Sequence, residues 1–374
     1  MTKTLLFTAF EPSGDRLAAS VIHRLRSEHP NWSIHAWGGS GMARAGAHLH
    51  ENTVEHAAMG LGALAHVRRV RRTQKSILRW CREHQPDGLV PVDSPAANFP
   101  ICKALRPQGV RVVHLAAPQL WAWAPWRSRK LRKCTDQVLC LLPFEPDWFA
   151  SRSIPAKFIG HPAINRELDI DRMIAESDSF QQGSPRLLLM PGSRNQEIDR
   201  NVQLMIDVVR GLRDVHPTIV VAMTAVDEEK ARRIRRHLGP EDRIDIIVGQ
   251  RDAALHWSQL VLAVSGTVTL DIMRHERPMV GVYRTGPVGS IGGRLLLITP
   301  DRLLPNLIAG SRIVPEFVPH WGGIEPIRDE VMGLLDSEQR RSEQVQAIKR
   351  SLVPYEGKSF AEEAADAIVE VITR

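Results

Sequence analysis

Short apolar runs alternate with longer amphipathic stretches along nearly the whole chain, and the alternation is interrupted once, over residues 163–184. Alternation of this kind is the pattern of βα units building a parallel sheet. Runs at residues 4–9, 33–37, 89–92, 110–116, 137–142 and 157–159 form a first series of expected strands, closed by His161 and Pro162. A second series follows at residues 187–190, 218–222, 244–248, 260–264 and 279–283. The stretch between the two series is polar and acidic, contains Gln181-Gln182-Gly183-Ser184-Pro185, and reads as a linker. The expected fold is therefore α/β: two Rossmann-like doubly wound domains, at residues 1–165 and 185–350, with their ligand-binding strand ends facing across a cleft. A terminal helix near residues 359–372, within 351–374, is expected to cross back onto the first domain.

Length and charge bound the function. A chain of 374 residues exceeds what one hydrophobic core usually organises. Lys and Arg number 49 against 42 Asp and Glu, and much of the excess is clustered: Arg68, Arg69, Arg71, Arg72, Lys75 and Arg79 in one stretch, Arg127, Arg129, Lys130, Arg132 and Lys133 in another. Cys81, Cys102, Cys134 and Cys140 show no CxxC spacing, which suits a reduced, cytoplasmic setting rather than a disulfide framework or a zinc site. The opening MTKTLLFTAF reads as a first strand, its apolar run being too short for a signal peptide. Every apolar run is soon broken by charge or proline, so any membrane contact is expected to be peripheral.

In the second domain, an apolar run enters Ser265-Gly266-Thr267 and then a helical stretch that holds Asp271. Unpaired N–H groups at a strand–turn–helix junction, with two hydroxyls beside them, suit a diphosphate, and Asp271 suits ribose hydroxyls; an ordinary helix cap competes with this reading. Met190-Pro191-Gly192-Ser193-Arg194 follows the first strand of the same domain, where the Arg194 guanidinium either clamps a phosphate or pairs at the surface with Glu197 or Asp199. In the first domain, Glu11-Pro12-Ser13-Gly14-Asp15 places two carboxylates at a helix start, where they repel phosphate and suit sugar hydroxyls, although Asp15 also fits a plain first-turn role. Asp93 ends an apolar strand ahead of Ser94-Pro95-Ala96-Ala97-Asn98 and is the candidate general base for a sugar transfer with inversion. His114, inside a strand, is the weaker rival and fits a core histidine.

Trp121, Trp123 and Trp126 stand close to Arg127, Arg129 and Lys130. Indoles at headgroup depth with cations on anionic lipid explain this mixture, as do burial or stacking on single-stranded nucleic acid. The stretch from Met59-Gly60 to Arg79 spaces Leu64, Val67, Val70 and Ile77 among its arginines and reads either as a lipid-facing helix or as a solvated face. Asp169-Ile170-Asp171 lies in the linker with no strand before it, and His48, His50 and His56 lack a converging spacing, so neither a metal nor an organic cofactor is expected. No GxGxxG follows the first strand, which argues against a dehydrogenase.

Taken in order, these motifs resemble the lipid-A-disaccharide synthases, inverting glycosyltransferases of the two-domain GT-B type. The stretches that carry the resemblance are Glu11 to Asp15, Met59-Gly60, Asp93-Ser94-Pro95, Pro118 to Trp123, Leu142-Pro143-Phe144-Glu145, Phe158 to Pro162, Leu189 to Arg194, Ser265 to Asp271, Pro278 to Arg284 and Leu304 to Gly310, spread over nearly the whole chain. The resemblance implies UDP-2,3-diacylglucosamine as donor, 2,3-diacylglucosamine 1-phosphate as acceptor, a β-1,6 product and released UDP. It implies work at the cytoplasmic surface of the inner membrane, with no nucleic acid partner, and leaves a homodimer open. By the same carry-over Asp93 is an essential carboxylate, Arg194 the arginine of a GSR motif, and Asn306 the asparagine of an LPN motif in the donor site. This chain departs from the family where Ala96 replaces an acid, Pro12 a threonine and Asp271 a glutamate, and where residues 286–293, from Gly286 to Gly293, replace a more apolar segment. Competing expectations are a transferase or epimerase using unacylated UDP-N-acetylglucosamine, and a non-catalytic protein that binds anionic lipid or nucleic acid.

Overall fold

Leu5, Leu6 and Phe7 have no exposed surface, because both faces of the strand that holds them are covered. The computed structural model describes residues 2–54, 63–284 and 299–374, and divides the chain into one unit of Met1–Asn165 with Gly357–Arg374 and another of Arg166–Glu356.

In the first unit seven parallel strands, β1 (Thr4–Thr8), β2 (Ser33–Gly38), β3 (His48–Asn52), β4 (Gly88–Pro91), β5 (Arg111–Leu115), β6 (Gln137–Cys140) and β7 (Ala156–Phe158), lie in the order β3-β2-β1-β4-β5-β6-β7. One face buries Phe7, Val90 and Leu139 under the helices Pro12–Glu28 and Phe360–Thr373. The other buries Leu6, Leu89 and Val112 under Ala63–His84 and Pro95–Leu105. The last helix packs so close that a Cβ at Gly88 would overlap Ile372.

In the second unit β8 (Arg186–Met190), β9 (Val220–Ala225), β10 (Ile244–Val248), β11 (Leu260–Val264), β12 (Met279–Val282) and β13 (Glu316–Phe317) are likewise parallel, in the order β10-β9-β8-β11-β12-β13. Leu187, Leu189 and Leu262 share a core with Ile198 and Val202 of the helix Asn195–Arg213 and with Ile327 and Val331 of Glu325–Asp336. In both units the order reverses beside the first strand, between β1 and β4 and between β8 and β11. Ligands of doubly wound sheets bind outside the carboxyl ends of the strands at such a reversal.

Two expectations are corrected, the bare linker and the number of strands. Residues 163–184 are not a bare linker: they contribute to the helix Pro162–Asn165 and form Ile170–Ser177, whose Met173 is buried and which packs on the helix Arg251–Trp257. Asp169 caps Ile170–Ser177, accepting from the Arg172 N–H at 3.0 Å, which accounts for Asp169-Ile170-Asp171. Strands β3 and β13 were not expected; β3 is a half-exposed edge strand without an apolar run, and β13 has two residues. Among the described residues no helix is long and apolar enough to cross a membrane. All four cysteines are buried and free, and burial pushes the Cys81 thiol up to about 12.

Candidate active site

Glu11 follows β1 and Asp93 follows β4, so the reversal in the first sheet brings the two carboxylates into electrostatic reach. Asp93 and Ser94 both adopt left-handed backbone, at φ 45° and 42°, a conformation that costs energy in residues other than glycine and persists only when its surroundings enforce it. The enforcing group is Asn98, fully buried, which donates to the Val92 and Asp93 carbonyls and accepts from the Thr8 hydroxyl at 2.8 Å. The Asp93 N–H is taken by the Leu115 carbonyl. Burial pushes the Asp93 carboxyl above its ordinary value; the Ser94 N–H opposes the shift and the Glu11 charge adds to it. A half-buried carboxylate that holds a proton more tightly than usual suits a general base. Glu11 is exposed at the start of Pro12–Glu28 and caps nothing with its side chain.

Two expected sugar or base contacts have other roles. Asp15 is buried and accepts three backbone N–H groups, from Gly39 at 2.8 Å, Gly41 at 2.9 Å and Met42 at 3.1 Å. Its carboxylate anchors the helix Ser40–Arg44. His114 is fully buried, neither ring nitrogen completes a hydrogen bond, and burial pushes it down to about 4, the nearby Asp93 backbone opposing weakly. It is a neutral core imidazole with no access to a substrate.

The tryptophan cluster divides. Trp121 is 6% exposed and donates to Glu145 at 2.9 Å, which removes it from any lipid-facing set. Trp123 is half-buried under the Arg127 guanidinium, 4.7 Å from its ring centre. Trp126 is 65% exposed, beside exposed Arg129 and Lys130. On Ala63–His84, Arg68, Arg71, Arg72, Lys75 and Arg79 are exposed while Ile77 and Trp80 are buried.

In the second unit the reversal brings the turns after β8 and β11 together. The N–H groups of Gly266 and Thr267 make no hydrogen bond among the described residues, and a Cβ at Gly266 would meet nothing within 4 Å. Ser265 and Thr267 are accessible beside them. Asp271 is buried and held by Arg251 at 2.9 Å and Arg166 at 3.5 Å. After β8, the Glu197 carboxylate accepts from the Ser193 and Arg194 N–H groups at 3.2 Å each. Gly192, at φ 106°, packs on the same side chain. The Arg194 side chain is 81% exposed and reaches Glu197 at 2.7 Å, the surface pairing weighed above. Asn306 is corrected: it is buried, accepts from Ile313 and Val314 N–H, and donates to the Val314 carbonyl and Glu316. With its hydrogen-bonding capacity used in shaping the turn before β13, it offers nothing to a donor. Met59, Gly60, His56 and the segment from Gly286 to Gly293 lie outside the described residues.

Sequence reasoning missed Arg166, Arg251 and Asp252. No local spacing marks them, since each acquires its partners through the fold. Among the described residues no group of His, Cys, Asp or Glu is arranged to hold a metal ion.

Two parallel sheets of doubly wound order, each reversing beside its first strand, give the α/β fold of the two-domain GT-B type. Residues 5–370 match the family described as lipid-A-disaccharide synthetase, and the chain belongs to that family. It is a glycosyltransferase of lipid A biosynthesis. The chain is 31% identical to the lipid-A-disaccharide synthase of Azotobacter vinelandii over 98% of its own length and 97% of the relative's. It is 29% identical to that of Pseudomonas fluorescens, over 98% of each. Among solved structures, the fold is shared with the UDP-GlcNAc 2-epimerase of Neisseria meningitidis bound to UDP-GlcNAc (TM-score 0.66, 12% identity, 100% of each chain). It is also shared with a glycosyltransferase of Rickettsia africae (TM-score 0.58, 11% identity, 100% of this chain and 98% of that one).

Proposed function

We propose that this enzyme joins UDP-2,3-diacylglucosamine to 2,3-diacylglucosamine 1-phosphate through a β-1,6 bond and releases UDP. The acceptor hydroxyl oxygen attacks the anomeric carbon of the donor from the face opposite UDP, with inversion. The Asp93 carboxylate takes the hydroxyl proton as the new C–O bond forms, and Glu11 raises its proton affinity. The bond to UDP breaks, and the diphosphate leaves carrying the electron pair. The Gly266 and Thr267 N–H groups, with the Ser265 and Thr267 hydroxyls, meet the charge that develops on it. Gly192, Ser193 and Arg194 border the same turn, where Arg194 exchanges Glu197 for phosphate, and Asp271 accepts from the ribose.

The observation that carries this reading is the pairing of chemistry with topology: a base-like carboxylate at the strand reversal of one unit, and free N–H donors with a buried acid at that of the other. Nucleotide-sugar use is supported by the UDP-GlcNAc-bound epimerase of the same fold. Trp126 and the cations near it support a peripheral seat on the cytoplasmic face of the inner membrane, each cation contributing about 1 kcal/mol on anionic lipid. The test is UDP release with acylated and unacylated donors. Turnover confined to the acylated donor is expected; turnover on the unacylated donor alone would remove the lipid substrate.

A further inference from the structure

Asp271 does not stand alone. Arg251 Nη1 reaches its Oδ2 at 2.9 Å, and Arg166 Nη2 reaches its Oδ1 at 3.5 Å. Arg166 is itself fixed by a two-point pair with Asp252, at 2.5 and 2.7 Å. His275, almost fully buried, lies 3.3 Å from Asp252 Oδ1, the oxygen that Arg166 Nη2 also meets. The two guanidiniums balance the two carboxylates, so the network is neutral when His275 is.

Each Asp271 oxygen thus takes one N–H, and a carboxylate oxygen has room for two. Among the described residues one acceptor position remains on each oxygen, the arrangement that receives both hydroxyls of a vicinal diol. We propose that Arg166 and Arg251 are positioning residues for the donor nucleotide, fixing the Asp271 carboxylate so that it accepts both ribose hydroxyls; this rests on the reading that Asp271 grips the ribose.

The charges support the geometry. Burial pushes the Asp271 carboxyl up, and Arg251 and Arg166 push it back, with Asp252 opposing them and His275 adding a little. Among the described residues these four are the charged or titratable groups that face it, from the chain entering the second unit, the helix Arg251–Trp257, and the end of its own helix. Burial would also raise Asp252, but His275 and Arg166 outweigh it and hold that carboxyl below its ordinary range. The two acids differ because Asp271 is the more deeply buried, at 8% side-chain exposure against 31% for Asp252. Without a guanidinium partner Asp271 takes up a proton at higher pH and loses its acceptor strength.

The test measures UDP and 2′-deoxy-UDP affinities calorimetrically for the full chain. A hydroxyl donating to a carboxylate makes the wild type prefer UDP by roughly 10-fold or more. Asp271→Asn should bring that ratio near one. Arg251→Gln and Arg166→Lys should reduce it several-fold, 2′-deoxy-UDP losing less affinity than UDP because only its 3′ hydroxyl meets Asp271, and the loss of UDP affinity on acidification should begin at higher pH in Arg251→Gln. Arg251 lies half-exposed, so its variant keeps the test available if Arg166→Lys fails to fold. If Asp271→Asn abolishes discrimination while both arginine variants keep the wild-type ratio and pH profile, the positioning role is wrong and the ribose contact stands. If the wild type does not discriminate, the ribose contact itself is wrong and the positioning role falls with it.

Discussion

The Asn98 side-chain amide donates to the Asp93 carbonyl at 2.8 Å and to the Val92 carbonyl at 3.2 Å. One buried side chain therefore ties the end of β4 to the helix Pro95–Leu105 and, through Thr8, to β1. Its position makes the left-handed turn at Asp93 and Ser94 a consequence of packing. A buried polar group left unsatisfied costs about 1–3 kcal/mol. Asn98→Leu is expected to lose at least that much stability by denaturant unfolding, and to lose turnover even where the variant is fully folded. Unchanged kcat in folded Asn98→Leu would show that the turn does not depend on this residue.

Asp93→Asn keeps the shape of the side chain and removes the proton acceptor. General-base catalysis contributes roughly 10²–10⁴-fold, so UDP release should fall within that range. UDP affinity should stay the same, because the nucleotide contacts are assigned to the other unit. A parallel fall in UDP affinity would contradict that division of labour.

Glu11 sets the pH at which Asp93 works. The base functions only when ionised, so the acid limb of kcat/KM follows the Asp93 pKa, which burial raises and the Glu11 charge raises further. Glu11→Gln removes one negative charge, lowers that pKa and should move the acid limb to lower pH. An unmoved or upward-moving limb in a pH–rate series rejects Asp93 as the titrating base.

Asp15→Asn probes structure, not chemistry. The carboxylate accepts N–H groups from Gly39, Gly41 and Met42, and an asparagine must turn an NH₂ toward at least one of them. A hydrogen bond to a charged group is worth about 1.5–3 kcal/mol, and a loss of that order is expected in the unfolding free energy, with kcat per folded molecule preserved. Gly41→Ala should behave alike, since its Cβ would stand 2.6 Å from the Asp15 carboxylate oxygen. A catalytic defect without a stability defect would return Asp15 to the active site.

These contrasts mark what a sequence can disclose. The strands that hold the site are legible because parallel strands covered on both faces read as apolar runs, and Asp93 is legible because it breaks such a run. Strand β3 is hidden by its edge position, although His48 and His50, two apart, share one of its faces, where His50 lies 3.0 Å from His35. Asp15 looks like a ligand contact in sequence, and Asn306 through the resemblance, because the partners that occupy them are supplied by the fold alone. Arg166 and Asp271 stand 105 positions apart, and no local pattern relates them.

Glu145 gives a stability test with a definite sign. It is fully buried, donated to by Trp121, Leu141 and Leu142, and burial outweighs those donors in pushing its carboxyl from 4.5 up to about 7. Between those values the folded chain keeps the Glu145 proton and the unfolded chain has lost it. The folded state then binds more protons, so this residue makes stability fall as pH rises across the interval, with a slope of at most about 1.4 kcal/mol per unit. Its contribution is fully present below pH 4.5 and gone above about 7. Glu145→Gln should flatten that slope while lowering stability at acidic pH, because an amide cannot accept all three donors. Trp121→Phe removes a donor that favours the ionised form and should carry the falling limb to higher pH. Denaturant unfolding from pH 5 to 8 decides the matter: parallel curves for the wild type and Glu145→Gln would mean that the three donors, not burial, set the charge of this carboxylate.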